Sequence, residues 1–487
     1  MAVSKPKPQS QRRSGGRAAR RAARKADAAT AVHPGLKGGA YRPLTDRDVE
    51  RIHATALDLL ENIGMANPIP ILRECALERG CRIDERGRLH FPRGLVEDVI
   101  AEATRRFTLY ARDPDNDLDV GGTRVHFDPG GEAVNTLDFQ TGRYRASTLF
   151  DVYDFARLVD QLEYVDTFSR VVVATDIQDL YENDINTAFA SVAGTGKNIS
   201  LSFIKAEHVE PTIKMLDMVL GGEGRFVKRP FCNGGGCPVV SPLGYGQDNS
   251  EVCIESTRMG SPVWVVIAPQ AGATAPAALA GTLAQTTAET LAALLLVNLV
   301  VPGHPVSFGP WPFVSDLRTG AFSGGGGEEA VLNAAAAQIA NFYNLPCSVS
   351  AGMTDSKLPD NQAGYEKGVT TALAALAGAN SISETAGMVA SLMGCSFEAM
   401  VIDNEMLGCI QRALRGIEVT DDTLSYEVIK EVIDGPGHFL GHPQTLELMQ
   451  TEFLYPQVAD RSTPAEWEEQ GSRDIRDRAR ERTREEA

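Results

Sequence analysis

From about residue 123 the chain alternates short β-rich runs with helical stretches, and this alternation restricts the fold more than any other feature. The runs are Arg124–Phe127, Ser169–Thr175, Asn198–Phe203, Pro230–Gly234, Val263–Ala268, Pro305–Gly309, Cys347–Ala351 and Ser381–Thr385. Several end in a Gly-, Pro- or Asp-containing turn and lead into a helical segment, as Glu328–Tyr343 follows the sixth run and Asn361–Leu376 the seventh. Strand and helix in alternation predict an α/β fold with a parallel sheet. Eight units predict closure into a (β/α)8 TIM barrel. One strand fewer leaves an open doubly wound sheet.

The flanks have a different texture. Residues 1–40 are rich in Arg, Ala, Gly and Ser and lack a core-forming pattern, so they are read as a disordered basic arm. Over 41–122 a helical cap is expected. Thr45 caps its first helix, Asp46 and Asp48 favour the positive end, and Val49, Ile52, Ala56, Leu59, Leu60 and Ile63 recur at helical spacing. A further helix starts near Pro92. The barrel is expected over 123–395, a helical extension over 396–462, and a charged tail or exposed helix over 463–487.

Composition excludes some function classes. The net charge of -17 argues against nucleic acid as a partner, because neutralising phosphates requires a basic face. The first 25 residues hold nine Lys and Arg and no acid, so the body is more acidic than the total. Eight scattered cysteines fit reduced thiols of a cytoplasmic protein. No run reaches the roughly 18–20 apolar residues of a membrane span, and Leu291–Val301 reads as the buried face of a core helix. His438 and His442 stand four apart but glycines interrupt the segment, so no metal site is expected.

In such a barrel the chemistry collects on the loops after the strands. The sixth run leads into Phe308-Gly-Pro-Trp311-Pro-Phe313. Phe308 and Trp311 are candidates for walling a cation pocket, since a quaternary ammonium is held by aromatic faces and nearby anions. Trp264 is a weaker candidate, and core filling is the competing account. The seventh run leads to Gly352-Met-Thr-Asp-Ser-Lys357 and Asp360-Asn-Gln362-Ala-Gly-Tyr365-Glu366. From this polar stretch Asp355, Lys357 and Tyr365 are taken as substrate-binding candidates, against loop solvation or capping. Glu384, at the end of the eighth run, needs a partner or a charged ligand if buried. Asp128-Pro-Gly-Gly-Glu132 is a turn by default and a source of a rim carboxylate otherwise. Ser323-Gly-Gly-Gly-Gly-Glu-Glu329 lacks the Lys-Ser/Thr ending of a phosphate loop and reads as a flexible loop or a lid.

Together, Thr354-Asp-Ser-Lys357 with Asp360 and Gln362-Ala-Gly-Tyr-Glu-Lys367, Asp316-Leu-Arg-Thr-Gly320, and Gly437-His-Phe-Leu-Gly-His442 with Leu446 and Pro456 resemble the trimethylamine methyltransferase family of corrinoid-dependent enzymes. The resemblance runs from about residue 40 to 462. It implies a TIM barrel whose rim accepts a methylated amine. It also implies a separate corrinoid protein that presents cobalamin as Co(I), with no cofactor tightly bound to this chain. The family's founding members carry pyrrolysine, which the resemblance places around Ser350–Ser356, whereas this chain has only the standard twenty amino acids. That departure shifts the expected substrate from trimethylamine to a quaternary amine such as glycine betaine, whose leaving group is already neutral. A betaine carboxylate would find Lys357 or backbone N–H groups. Two other readings stay open: a methylamine enzyme with a different acceptor, and a non-catalytic betaine-binding protein. The readings include no nucleic-acid or membrane partner, and a homo-oligomer is compatible with all of them.

Overall fold

The computed structural model describes residues 31–486. Two compact units are distinguished, His33–Ile417 with Pro456 onward, and a smaller one containing Glu418–Tyr455. In the larger unit three helices come first: α1 (Asp46–Asp58), α2 (Pro70–Glu78) and α3 (Arg93–Glu102). Thr45 caps α1 as its sequence requires, its hydroxyl accepting the Asp48 N–H at 3.2 Å. All three pack against a long helix further along the chain.

Eight strand–helix units follow. They are β1 (His126–Phe127) with α4 (Leu149–Gln161), β2 (Thr167–Ser169) with α5 (Leu180–Gly194), β3 (Asn198–Ser202) with α6 (Val209–Val219), and β4 (Cys232–Gly236) with α7 (Gln247–Arg258). Then come β5 (Val263–Val265) with α8 (Leu279–Val300), β6 (Val306–Ser307) with α9 (Gly327–Tyr343), β7 (Ser348–Ser350) with α10 (Asn361–Ala377), and β8 (Ser381–Ser383) with α11 (Phe397–Arg415). The strands pair in parallel in the orders β6-β5-β4-β3-β2 and β7-β8-β1. Phe308, just past β6, forms a parallel bridge with Cys347, just before β7. At the other junction the Asp166 N–H donates to the Phe127 carbonyl at 2.8 Å. The α/β reading of the sequence therefore stands.

Period-two alternation divides each strand between two environments. Thr167 and Ser169, Asn198, Ser200 and Ser202, Ser348 and Ser350, and Ser381 and Ser383 share one side, while Phe168, Ile199, Leu201, Val349 and Ile382 are buried on the other. Polar side chains on the first side bond one another, as Ser200 Oγ to Asn233 Oδ1 at 2.7 Å and Asn233 Nδ2 to Asn198 Oδ1 at 3.0 Å.

Four expectations are adjusted. The second run, read as Ser169–Thr175, overlaps its strand only at Ser169 and runs on beyond it; its buried valines attach through one bridge, Val172 to Ala133. The apolar run at Leu291 belongs to a helix that starts at Leu279 and is long and apolar enough to cross a membrane, yet 94% of its most apolar 18-residue window is buried inside the protein. Of the basic arm, residues 1–30 lie outside the described residues. His33–Ala40 is tied down, because Gly35 and Gly38 N–H groups donate to Val125 and Thr123 carbonyls and Val125 N–H donates to Leu36. The charged C-terminal segment is also docked: its last helix (Ile475–Glu486) buries Ala479 and Thr483, and Arg480 Nε meets Glu398 Oε1 of α11 at 2.9 Å.

Between α10 and α11, Lys367 Nζ meets Asp403 Oδ2 at 2.6 Å in full burial. The same oxygen accepts the Gly387 N–H at 2.8 Å.

In the smaller unit, α12 (Tyr426–Asp434) and α13 (Pro443–Leu448) are joined by the Gly-Pro-Gly-His segment. His442 caps α13, its Nδ1 accepting the Gln444 N–H at 3.2 Å, and His438 is exposed. Among the described residues no group of three or more His, Cys, Asp or Glu is placed to hold a metal ion.

Candidate functional site

The loops at the carboxyl ends of the strands gather the carboxylates. Glu384, directly after β8, is 3% exposed and sits at φ +67°, a conformation that costs a non-glycine residue about 1–3 kcal/mol and clusters at functional sites. Its Oε2 accepts the Ser350 hydroxyl of β7 at 2.7 Å. Burial raises its pKa to about 8, with repulsion from Asp128 and Glu132 adding to the shift against the Ser350 hydrogen bond. Asp128, directly after β1, accepts the Thr167 hydroxyl at 2.7 Å and the Ser169 hydroxyl at 2.7 and 2.8 Å. Its pKa is also raised, chiefly by burial.

Glu132 also adopts a left-handed backbone, at φ +51°. Its side chain stays solvent-accessible and pairs with Arg170 at 2.9 Å. Burial opposes its ionisation, but the Arg170 charge and hydrogen bonds from Arg170 and Ser202 prevail and lower its pKa. Cys237, directly after β4, is exposed. Dehydration, then Glu132 and Glu384, push its thiol up to about 12.

The aromatic group assembles beside these acids. Trp311 Nε1 donates to Ser348 Oγ at 3.1 Å, and its ring meets Phe313 edge-on at 6.5 Å. Phe313 in turn meets Phe322 at 4.9 Å, and Met353 and Leu392 complete the cluster. Ser348 and Ser350 are two residues apart on one face of β7, a span of roughly 7 Å. Trp311 and Glu384 therefore hang from adjacent same-face positions of a single strand.

The other expected residues divide. Phe308 is 1% exposed and packs edge-on against Tyr343 of α9 at 5.5 Å, in the core rather than with Trp311. Trp264 joins a core cluster with Leu109, Leu118 and Val120, with Phe107 edge-on at 6.2 Å. Lys357 is exposed and donates to the Asp355 carbonyl at 2.6 Å. Tyr365 is exposed beside Glu366, its hydroxyl 3.5 Å from Oε1. Asp355 acts as a tie: its carboxylate accepts Ser323 Oγ at 2.7 Å, the Gly324 N–H at 2.8 Å and Ser391 Oγ at 2.7 Å. It joins the glycine-rich loop to the loop after β8, where Ala390, Ser391 and Leu392 are all left-handed.

The glycine-rich loop is packed and not a free lid. A Cβ on Gly325 would lie 2.4 Å from Glu366 Oε2, and one on Gly324 would lie 2.9 Å from Met353 Cβ. Glu366 itself is held by Thr354 Oγ1 at 2.5 Å, the Asp355 N–H at 2.9 Å and Gln362 Nε2 at 2.9 Å. The Asp316-Leu-Arg-Thr-Gly320 motif forms the turn of a hairpin, with Arg318 bonded to Asp316 at 2.8 Å.

Sequence reasoning missed Phe322, Met353, Arg170, Cys237 and Glu329. The paired serines of β7 and β8 were a legible signal for a polar strand face, but nothing local marked which loops would meet it. Glu329, in the first turn of α9, has 0% exposure, and neither carboxylate oxygen has a hydrogen-bond partner. Burial raises its pKa well above the ordinary range, with Glu384, Asp355 and Glu366 adding repulsion. A buried unsatisfied polar group costs about 1–3 kcal/mol. Glu329→Met is therefore expected to raise stability by about that amount, read as a later urea midpoint, while an earlier midpoint would show that the carboxyl has a stabilising role in the fold.

The chain is similar to proteins of one family over nearly its whole length. The model of the trimethylamine methyltransferase family matches residues 13–486. Trimethylamine methyltransferase MttB of Desulfitobacterium hafniense is 34% identical over 445 residues, covering 91% of this chain and 89% of the relative. The MttB of Methanosarcina thermophila is 34% identical over 445 residues, covering 90% and 91%. A glycine betaine methyltransferase of Desulfitobacterium hafniense is 31% identical over 432 residues, covering 88% of each chain. With a family model spanning nearly the whole chain and relatives similar over nine-tenths of it, this chain belongs to the trimethylamine methyltransferase family.

Proposed function

We propose that this protein is a cytoplasmic methyltransferase that takes a methyl group from a quaternary amine, glycine betaine or a close analogue, and passes it to the cobalt of a corrinoid protein. The carrying observation is the joint attachment of Trp311 and Glu384 to neighbouring serines of β7. The two residues supply what a permanent cation without N–H donors needs, an aromatic face and an anion. In this reading the eight strands close into a (β/α)8 barrel through the Phe308–Cys347 bridge and the Asp166–Phe127 hydrogen bond, with 41–122 as a helical cap.

Trp311 and Phe322 would bound the methyl groups, and Glu384 would face the ammonium. Asp355 is a positioning residue that holds the surrounding loops together. Phe308 serves packing here, and Lys357 and Tyr365 lie too far toward solvent to define the cation site, although Lys357, bonded to the Asp355 carbonyl, is exposed at the edge where a carboxylate would meet it. The chemistry attributed to the reduced corrinoid is nucleophilic displacement at the methyl carbon, with the neutral tertiary amine leaving with the C–N electron pair. The open side at Glu132 and Cys237 leaves a route for an acceptor held by a second protein. The protein's contribution is orientation and a preorganised charge environment.

The test is incubation of the pure protein with glycine betaine and free cob(I)alamin, followed spectrally for methyl transfer. Binding of betaine without transfer would leave a betaine-binding protein. Trp311→Ala is expected to weaken betaine binding about 30-fold, the worth of a desolvated cation–π contact of about 2 kcal/mol, and unchanged affinity by calorimetry removes the cage.

A further inference from the structure

Ser350, at the end of β7, is held from two directions. Its hydroxyl donates to Glu384, and its N–H donates to Asn333 Oδ1 of α9 at 3.1 Å. Glu329 precedes Asn333 by one helical turn on the same face of α9, and Asn333 Nδ2 reaches back to the Glu329 carbonyl at 3.1 Å. Glu329 therefore stands one turn nearer the glycine-rich loop than the Asn333–Ser350 contact. Its charged neighbours are Glu384, Asp355 and Glu366. Each of these has donors: Ser350 for Glu384, Ser323 and Ser391 hydroxyls with the Gly324 N–H for Asp355, and Thr354, Gln362 and the Asp355 N–H for Glu366. Such donors stabilise a carboxylate. Glu329 has none on either oxygen and is wholly buried. A buried charge without donors or a counter-ion is not kept, so Glu329 holds its proton. An acid in that state, retained against the stability of the fold, has the character of a functional group.

The methyl-transfer reading leaves a tertiary amine with a lone pair among side chains that are nearly shut off from water. Left neutral, that amine is the nucleophile of the reverse reaction. Resting on that reading, we propose that Glu329 is the acid that protonates the departing amine. As the C–N bond breaks, its electron pair passes to nitrogen, and the methyl group goes to the reduced corrinoid of that reading. The nitrogen lone pair then takes the Glu329 proton. One O–H bond breaks and one N–H bond forms, leaving an ammonium product beside a new carboxylate. The carboxylate recovers a proton from water once the product has left.

Glycine betaine has no N–H, whereas its demethylated product, N,N-dimethylglycine, has one when protonated. Calorimetry with these two ligands tests the assignment with no corrinoid present. In Glu329→Met, dimethylglycine should bind about 30-fold more weakly, the worth of a hydrogen bond to a charged group, while betaine stays within about threefold. Methyl transfer from betaine to free cob(I)alamin should slow about 100-fold or more, as loss of a general acid does. This variant is the one expected to gain stability, so a loss of function in it does not come from misfolding. If it unfolds early instead, Glu329→Gln, close in shape and without a transferable proton, carries the transfer comparison in its place. Equal weakening of both ligands makes Glu329 a wall of the cation site, and unchanged binding and transfer make it a structural orphan. Either result overturns the proposal. A wild type that binds no betaine overturns the cation site itself, and this proposal with it, before any variant is compared.

Discussion

Glycine betaine binding is expected to strengthen about tenfold per pH unit up to pH 8 and then level off. Burial holds the Glu384 carboxyl at a pKa of about 8, so below that pH the group is protonated in the empty site. A permanent cation favours the charged form and must expel the proton in order to bind. At pH 7 the apparent affinity therefore lies about tenfold below its plateau. Glu384→Gln should flatten the pH profile and weaken binding about 100-fold at pH 8.5, within the cost of truncating one member of a desolvated charge pair. Calorimetry over pH 6–9 reads both effects, and in buffers of different ionisation heat it also reads the released proton. A wild-type profile that is already flat removes Glu384 from the cation site. The same shift acts oppositely on the empty protein. The folded state holds the Glu384 proton more tightly than the unfolded chain does. The stability from this group is thus complete below the ordinary carboxylate pKa and is lost as pH rises towards 8. Bound betaine should reverse that trend.

Lys367→Met is expected to destabilise the fold by about 3–5 kcal/mol, because it leaves Asp403 buried without its counter-charge. Lys367 is 1% exposed, and its contact with Asp403 at 2.6 Å joins α10 to α11. Loss of hydration already raises the Asp403 pKa even with the lysine present, and the Gly387 N–H is the remaining donor. The double variant Lys367→Met with Asp403→Leu should recover most of the loss, since an apolar pair of similar size often replaces a buried ion pair at little cost. Urea denaturation of the two variants decides the matter. If the single variant unfolds at the wild-type midpoint, the pair is not structural.

Among the residues of the site, some were legible from the chain and others were not. Glu384 could be singled out because a carboxylate between apolar stretches at a strand end demands a partner. Trp311 could be singled out because its rings and prolines follow a strand directly. Phe308 lies in the same motif, yet it faces Tyr343, since one residue along a strand reverses the side to which a side chain points. Lys357 and Tyr365 belong to a polar stretch of the expected kind, but burial separates them from Glu366, and burial is not a property of the stretch. The glycine-rich loop read as flexible because no nearby residue restrains it. Its restraints are Met353, Asp355 and Glu366, which arrive from the next strand–helix unit.

The alternation that first restricted the fold was determined by the chain alone. Strand and helix periodicity, N-cap residues and turn glycines act over a few neighbouring residues, and the eight runs consequently fall at or beside the eight strands. Tertiary structure decided which of the flagged residues meet. The Trp311–Ser348 and Glu384–Ser350 contacts span 37 and 34 residues, and the unpartnered state of Glu329 depends on elements that arrive from elsewhere in the chain. Proximity, dehydration and pKa are set by non-local packing, so they exist only once the strands have paired.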